Sequence, residues 1–169
     1  MRAAAFQERF QNLMEEHKKI LYKVANSYCH NPDDRDDLAQ EIIVQLWRSF
    51  RSFDGRVRFS TWMYRIALNV AISFCRRENV RSRHLVPDNE RLLDVAAEAP
   101  AESDDVQALY QWIERLDALH RALALLYLDG NSYHEIAEIL GISETNAATK
   151  ISRLKQTLRK EAGVEHGTR

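Results

Sequence analysis

The sequence predicts an all-α fold made of two small helical domains joined by an acidic linker. Apolar residues recur at spacings of three and four in several segments, which is the period of helices packed on a core. That period lapses over residues 82–105, where small and acidic residues dominate. Net charge changes in the same place, from +5 over residues 1–85 to −6 over 86–110 and zero over 111–169. We therefore predict domains at residues 1–83 and 105–169, with a linker at 84–104.

Composition excludes several classes of protein. A chain of 169 residues, 45% hydrophobic and 29% charged, can bury one moderate or two small cores and is neither disordered nor fibrous. No apolar run approaches the ~20 residues of a membrane span, and no signal-peptide pattern opens the chain, so we expect a cytoplasmic protein without membrane insertion. Cys29 and Cys75 are the two cysteines and form no CxxC motif. We predict no metal site and no cofactor.

The first helix is predicted over residues 4–28. Its apolar stripe includes Phe6, Phe10, Leu13 and Val24 at helical spacing. The dipeptide Asn31-Pro32 ends this helix, and Asp33 or Asp34 is placed to cap a second helix over residues 34–51.

The second helix has two distinct faces. One is the predicted buried stripe of Ala39, Ile43, Leu46 and Phe50. The rest is mostly polar, yet it also contains Val44 and Trp47, which a solvated face does not need. A mixed polar and apolar outer face favours contact with a protein partner.

The third helix, over residues 59–83, combines a core stripe with cations and aromatic rings. The predicted inward residues are Met63, Ile66, Ala67, Val70 and Phe74. The opposite face has Arg65, Asn69, Ile72 and Arg76, and Arg77, Arg81 and Arg83 extend its positive charge. Aromatic rings among cations, here Phe53, Phe59, Trp62 and Tyr64, are typical of surfaces that bind unstacked bases. The alternative is that Trp62 and Tyr64 are core residues and the arginines a solvated helix end.

The last third of the chain has the pattern of a helix-turn-helix motif. Ser132-x-x-Glu135 is a capping box, Gly141 supplies a turn, and Ser143 caps a longer helix. The buried stripe of that helix is Ala147, Ile151, Leu154 and Leu158. Its predicted outward residues are Thr145, Asn146, Thr149, Lys150, Arg153, Lys155 and Gln156. Such an outward face favours DNA binding, although an ordinary helical hairpin shares the spacing.

Three segments together resemble an extracytoplasmic-function (ECF) sigma factor of the sigma-70 family. They are DDRDDLAQEIIVQLWRSF at 33–50, FSTWMYRIALNVAISFCRR at 59–77, and LDGNSYHEIAEILGISETNAATKISRLKQ at 128–156. The resemblance implies a promoter-recognition subunit of bacterial RNA polymerase that has no enzymatic activity. The implied partners are the β′ and β subunits of core polymerase, promoter DNA and an anti-sigma factor. The acidic linker resembles the one that threads the active-site and RNA-exit path of polymerase.

The resemblance also implies roles for individual residues. The set expected to dock on core polymerase is Asp36, Asp37, Leu38, Gln40, Glu41, Trp47 and Arg48. The set expected to open and hold the −10 element is Phe59, Thr61, Trp62, Tyr64, Arg65, Asn69, Arg76 and Arg77. The set expected to contact the −35 element is Ser143, Thr145, Asn146, Thr149, Lys150, Arg153 and Lys155.

The second domain departs from the commonest family pattern. Leu116-Asp117-Ala118 stands where a proline is usual, and Thr145-Asn146-Ala147-Ala148-Thr149-Lys150 replaces Gly-Thr-Val-Lys-Ser-Arg. The −35 preference of a relative therefore does not transfer to this chain. Two alternative functions are a stand-alone helix-turn-helix regulator and a sigma-like decoy that titrates a regulator. The first leaves the aromatic and basic third helix unexplained.

Overall fold

The computed structural model describes the backbone of residues 1–84 and 103–166, and the side chains of residues 1–81 and 103–163. All regular structure in those ranges is helical, which confirms the all-α fold class. The elements are α1 (Arg2–Tyr28), α2 (Pro32–Ser49), a 3-10 turn (Phe50–Ser52), α3 (Phe59–His84), α4 (Asp104–Glu114), α5 (Ala118–Leu128), α6 (Tyr133–Leu140) and α7 (Glu144–His166).

The chain divides into two compact units, Met1–Ala99 and Pro100–Arg169, here called unit 1 and unit 2. Of the predicted linker at 84–104, residues 85–102 lie outside the described part of the chain. The predicted boundaries at 83 and 105 therefore stay predictions.

Unit 1 is built by α1, α2 and α3, each packed against the other two. Its core includes Val24 of α1, Ile42 and Leu46 of α2, and Met63 and Ala67 of α3, all with 0% exposure. Fully burying one aliphatic side chain contributes about 1.5–3 kcal/mol. The packing of the three amphipathic faces therefore supplies most of the stability of these helices, rather than local propensity.

The predicted start and buried stripe of α2 were wrong by small shifts. The cap is Asn31, whose side-chain oxygen accepts a hydrogen bond from the Asp33 backbone N–H at 2.8 Å. The buried row is Leu38, Ile42, Leu46 and Phe50, at 0%, 0%, 0% and 2% exposure. Ile43 of the predicted stripe is 39% exposed. An unbroken i, i+4 row starting at Leu38 buries more apolar area than one starting at the smaller Ala39.

The buried face of α3 is also rotated slightly from its prediction. Met63, Ala67 and Phe74 are buried as expected, while Ile66 and Val70 are only half-buried. Tyr64, Leu68 and Ala71 complete the buried face. Because α3 packs on both α1 and α2, its buried surface is wider than a single stripe.

The two cysteines lie near each other in unit 1. The Cys75 thiol donates a weak hydrogen bond to the carbonyl oxygen of Tyr28, the residue before Cys29, at 3.9 Å. Burial, together with the neighbouring Cys75, raises the pKa of the Cys29 thiol to about 12. Cys29 is therefore a protonated core side chain at neutral pH, without the thiolate that makes cysteines reactive.

Unit 2 contains α4 to α7, with a core that includes Ile113, Leu123, Leu126, Ile136 and Ile151. The capping box is present: Ser132 Oγ accepts from the Glu135 N–H at 3.1 Å, and a Glu135 carboxylate oxygen accepts from the Ser132 N–H at 2.8 Å. Gly141 ends α6 with φ of 69°, a left-handed conformation that favours glycine. Ile139 is buried, and Leu140, the last residue of α6, is only half-buried.

The corrected register of α2 predicts opposite outcomes for two adjacent isoleucines. Ile42→Ala should lower the free energy of unfolding of unit 1 by about 2–5 kcal/mol, because it leaves a cavity in the core. Ile43→Ala removes the same atoms from a partly solvated position and should cost less than about 1 kcal/mol. Urea unfolding followed by circular dichroism measures both. Equal costs, or a larger cost for Ile43→Ala, would contradict this register.

Candidate polymerase and nucleic-acid interfaces

The outer face of α2 holds most of the predicted docking residues. Asp36, Asp37, Gln40 and Arg48 are exposed, and Glu41 is half-buried. Leu38 is the exception, since it is fully buried in the α2 row. Its assignment as a contact residue is therefore wrong, and its role is to hold α2 on the core so that its polar neighbours face outward.

Trp47 is shared between the core and the surface. Its indole ring packs edge-on against Phe10 and Phe6 of α1, with ring centroids 5.0 and 5.6 Å away. It nevertheless remains 42% exposed, and Val44, one turn earlier, is 47% exposed. The outer face of α2 therefore presents an apolar patch beside carboxylate and amide groups, a composition that suits the edge of a protein interface.

One ion pair joins the predicted docking residues to the predicted −10 residues. Arg77 of α3 donates to a Glu41 carboxylate oxygen at 2.6 Å. The hydrogen bond and the charge of Glu41 raise the pKa of Arg77. Both side chains are about half exposed to solvent, so water and salt screen the attraction between them.

The aromatic residues before and at the start of α3 form a packed cluster. The Trp62 ring lies 5.0 Å from Phe53, 5.3 Å from Phe59 and 6.2 Å from Phe50 between centroids. Phe59, Thr61 and Tyr64 are buried, at 7%, 5% and 2% exposure. These three predicted −10 residues are therefore core side chains, as the alternative reading of the aromatics expected for Tyr64. Trp62 is half-buried and keeps part of its ring at the surface.

The exposed row of α3 starts beside this cluster. Arg65, Asn69 and Arg76 are exposed and lie three, seven and fourteen residues after Trp62, which places them along one side of the helix. The row presents guanidinium groups, one amide and a half-exposed indole ring. Cations that hold phosphates, with an aromatic ring and an amide for bases, are suited to a single nucleic-acid strand.

In unit 2 the first turns of α7 are open to solvent. Thr145, Asn146 and Thr149 are exposed, and Ala147 and Ile151 are buried as predicted. The Ser143 hydroxyl accepts from the Asn146 backbone N–H at 3.1 Å. Ser143 thus caps α7, and this bond keeps the N-terminal turn in helical form with its outward side chains presented together.

Lys155, one of the residues predicted to face outward, packs against an aromatic ring of α5. It is half-buried, and its Nζ lies 4.3 Å from the centre of the Tyr127 ring. Hydrogen bonding with the Tyr127 side chain raises the pKa of Lys155. On a helix, Lys155 is about 140° from Lys150, so the two lysines occupy opposite flanks of α7.

A cleft of about 150 Å³ lies on the Lys150 flank of α7. Its lining is His120 of α5 with Lys150, Arg153, Leu154 and Thr157 of α7. Sequence reasoning missed His120, because it lies thirty residues before Lys150 in the chain and comes beside it only where α5 packs on α7. The one local signal was the Asp117-x-x-His120 spacing at the start of a helix, which is typical of a capping side chain.

Asp117 orients His120 through two hydrogen bonds. One carboxylate oxygen accepts from the His120 backbone N–H at 2.9 Å, and the other lies 2.7 Å from His120 Nδ1. Burial raises the pKa of the Asp117 carboxyl, but the bonds from the His120 backbone and ring outweigh it, so the pKa lies below its usual value. Asp117 is therefore ionised at neutral pH, and it holds the imidazole ring at the cleft.

Within the described ranges, no helix has both the length and the apolar character needed to cross a membrane. In the same ranges no three His, Cys, Asp or Glu side chains are grouped so that they could hold a metal ion.

Two family models match the chain in order. The Sigma-70 region 2 model matches residues 13–81, and the Sigma-70, region 4 model matches residues 107–158. The ECF RNA polymerase sigma factor SigW of Bacillus subtilis is 30% identical over 168 residues, covering 92% of this chain and 89% of the relative. SigX of the same organism, also an ECF RNA polymerase sigma factor, is 28% identical over 165 residues, covering 91% of this chain and 84% of the relative.

Two solved structures have a similar fold. The sigma factor RpoE, in complex with the anti-sigma factor NepR from Bartonella quintana, matches with a TM-score of 0.74 and 24% identity over 93% of this chain and 98% of that chain. CnrH, in complex with the cytosolic domain of CnrY, matches with a TM-score of 0.65 and 23% identity over 96% of this chain and 91% of that chain.

Proposed function

Because the chain belongs to the extracytoplasmic-function sigma factors of the sigma-70 family, we propose a division of labour among its exposed residues. As an RNA polymerase sigma factor, it binds core polymerase and promoter DNA and directs transcription initiation. The observation that carries this function is the presence of both sigma regions in order over most of the chain. The stand-alone regulator is disfavoured because it leaves the region 2 match unexplained.

The proposed docking surface on core polymerase is Asp37, Gln40, Val44 and Trp47 of α2. Supporting this, all four side chains are exposed and none belongs to the buried row of that helix. Asp36 and Arg48 lie at its margins. Glu41 is a conditional member, because in the free protein its carboxylate is engaged by Arg77.

The proposed −10 surface is the row of Trp62, Arg65, Asn69 and Arg76 on α3. The half-exposed indole offers a face on which a base can stack once it has left the duplex, and the Asn69 amide can donate and accept hydrogen bonds with a base edge. Arg65 and Arg76 supply charge for the backbone. Phe50, Phe53 and Phe59 would support Trp62 from behind.

The proposed −35 surface is the start of α7. The exposed Thr145, Asn146 and Thr149 are assigned to base edges, and Lys150 and Arg153 to phosphates. Two cations among five residues make a weakly basic recognition surface. Affinity of unit 2 for DNA should therefore be modest, and much of the holoenzyme's hold on a promoter should come from polymerase and the −10 surface.

An anti-sigma factor is the proposed regulator, supported by the complex of the similar RpoE with the anti-sigma factor NepR. Its proposed target is the exposed apolar patch of Val44 and Trp47, because covering that patch would block docking on polymerase. Since core polymerase is in the cytoplasm, that is the proposed location. The protein is proposed to have no catalytic activity of its own.

Run-off transcription tests the proposed function. The purified chain, mixed with core polymerase from a close bacterial relative of its source, should produce discrete transcripts from a library of genomic promoter fragments. Core polymerase alone is the control and should give none of them. If the mixture gave no transcript that core polymerase alone lacks, while the chain bound library DNA unaided, the stand-alone regulator would be favoured instead.

The docking surface predicts a selective loss of polymerase binding. Asp37→Lys combined with Gln40→Ala should weaken binding to core polymerase at least about tenfold, which is about 1.4 kcal/mol. The free energy of unfolding should change by less than about 0.5 kcal/mol, because both positions are exposed. The matched control is Glu8→Lys, the same reversal at an exposed position of α1, which should bind normally in a quantitative pull-down. Normal binding by the double variant would contradict the docking assignment.

The −10 surface predicts a defect in strand opening rather than in promoter docking. Holoenzyme with Asn69→Ala should occupy a promoter in a footprint but leave its −10 thymines unreactive to permanganate, because the amide acts on an extruded base. A promoter opened beforehand by a mismatch bubble should restore transcription only in part. The control is Asn26→Ala, at an exposed position of α1, which should open the promoter as the parent does. Equal permanganate reactivity in both variants would remove Asn69 from the −10 surface.

A further inference from the structure

We propose that the cleft between α5 and α7 is a seat for one DNA backbone phosphate, and that His120 is its pH-dependent donor. The proposal rests on the −35 surface assigned above and adds a residue from outside the recognition helix. It also assigns the ligand class, a phosphodiester group of duplex DNA, and predicts how pH changes its binding.

The lining of the cleft suits an anion of this size. Lys150 and Arg153 supply two fixed positive charges from successive turns of α7, and the His120 ring forms the α5 side. Leu154 adds an apolar side chain to the lining. The Thr157 hydroxyl donates its proton to the Arg153 carbonyl oxygen at 3.0 Å, so it does not donate to an anion in the cleft. No carboxylate is among the lining residues. Lys150 and Arg153 also flank the exposed Asn146 and Thr149, so an anion in the cleft would lie beside the start of α7.

The hydrogen bonds of His120 determine which ring nitrogen is available. An ionised carboxylate only accepts hydrogen bonds, so the contact of 2.7 Å between Asp117 Oδ2 and His120 Nδ1 requires the proton on Nδ1. The remaining nitrogen is Nε2. In the neutral ring Nε2 has a lone pair and cannot donate to a phosphate oxygen, whereas in the imidazolium it carries a proton and can.

The charges around His120 link its protonation to DNA binding. The facing groups are the Asp117 carboxylate before α5 and the cations Lys150 and Arg153 of α7. A phosphate seated between the two cations and the ring can accept a hydrogen bond from Nε2 only when the ring is an imidazolium, so its binding should take up a proton. The sign follows from this uptake: DNA binding strengthens as pH falls through the range, about 8 to 5, in which histidines titrate.

Salt dependence of DNA binding measures the proposed contact directly. Each phosphate contact adds about 0.9 to the magnitude of the slope of log K against log salt concentration. The full-length chain is titrated with a random-sequence duplex by fluorescence anisotropy, at several KCl concentrations, at about pH 8 and about pH 6. Random sequence is suitable because phosphate contacts do not read bases. For the parent, the slope should steepen by up to about 0.9 on going to the lower pH.

Three variants separate the phosphate contact from a structural role. H120Q should keep the shallow slope at both pH values, because glutamine has no charge to gain. H120R should show the steep slope at both, because its charge is permanent. The matched control is H134Q: His134, on α6, faces Glu144 at 3.6 Å and is outside the cleft, so its loss should leave the parent's pH dependence intact. Asp117 accepts from the backbone of residue 120, so the cap survives in H120Q and H120R, and their melting temperatures should match the parent's.

The outcomes are distinct. A slope that is independent of pH in the parent, or H120Q and H120R variants that behave alike, would overturn the phosphate seat while leaving the proposed function of unit 2 in place. Loss of pH dependence in H134Q but not in H120Q would assign the effect to another contact and also overturn it. Failure of the parent to bind duplex DNA at either pH would overturn the DNA-binding role of unit 2, and the seat with it. The run-off assay is independent of these measurements.

Discussion

The Phe50 ring is the contact on which the arrangement of unit 1 depends. It is 2% exposed, directly follows the last residue of α2, and has its ring centroid 5.0 Å from those of Phe6 and Phe10 of α1. It also lies 6.2–6.4 Å from Trp62 and Phe59 at the start of α3. One side chain thus joins all three helices, and aromatic pairs of this kind contribute about 0.5–1.5 kcal/mol each beyond area burial. The orientation of α2 and the position of the α3 N-terminus are determined together.

This coupling has a functional consequence. Burying Leu38, Ile42, Leu46 and Phe50 leaves Asp37, Gln40 and Val44 on the solvent side of α2. The cluster that contains Phe50 also supports Trp62 beside Arg65 and Asn69. The two proposed surfaces of unit 1 therefore share one core, and the Glu41–Arg77 ion pair connects them at the surface. A partner that binds Glu41 would compete with Arg77 for its carboxylate. Because the ion pair is half-exposed and weak, such a partner could displace Arg77 at little cost in free energy.

In unit 2 the two flanks of α7 have different roles. Lys155 is committed to the Tyr127 ring, whereas Lys150 and Arg153 line a cleft closed by His120. Cations of equal formal charge on one helix are thus unequal in their availability to DNA. In the proposed phosphate seat, His120 at the start of α5 adds one more group that can carry a positive charge beside Lys150 and Arg153.

The sequence by itself determined the helical fold class, the order of the two sigma regions, the capping box at Ser132 and Glu135, and the exposed row of Arg65, Asn69 and Arg76. These features depend on local periodicity and on contacts between residues three or four positions apart, which a sequence displays directly. The burial of Ala147 and Ile151 in the core likewise follows from their spacing along one helix, which the sequence displays directly.

Tertiary structure alone decided the features that depend on contacts between distant segments. The buried row of α2 begins at Leu38 rather than at Ala39. The two arrangements differ by a rotation of one residue about the helix axis, and only packing on α1 and α3 selects between them. Phe59, Thr61 and Tyr64 lie within three residues of Trp62 in the sequence, yet the packing of unit 1 buries them and leaves the indole ring partly exposed. The cleft of His120, Lys150 and Arg153 exists because α5 and α7 pack together, and sequence spacing carries no record of that contact.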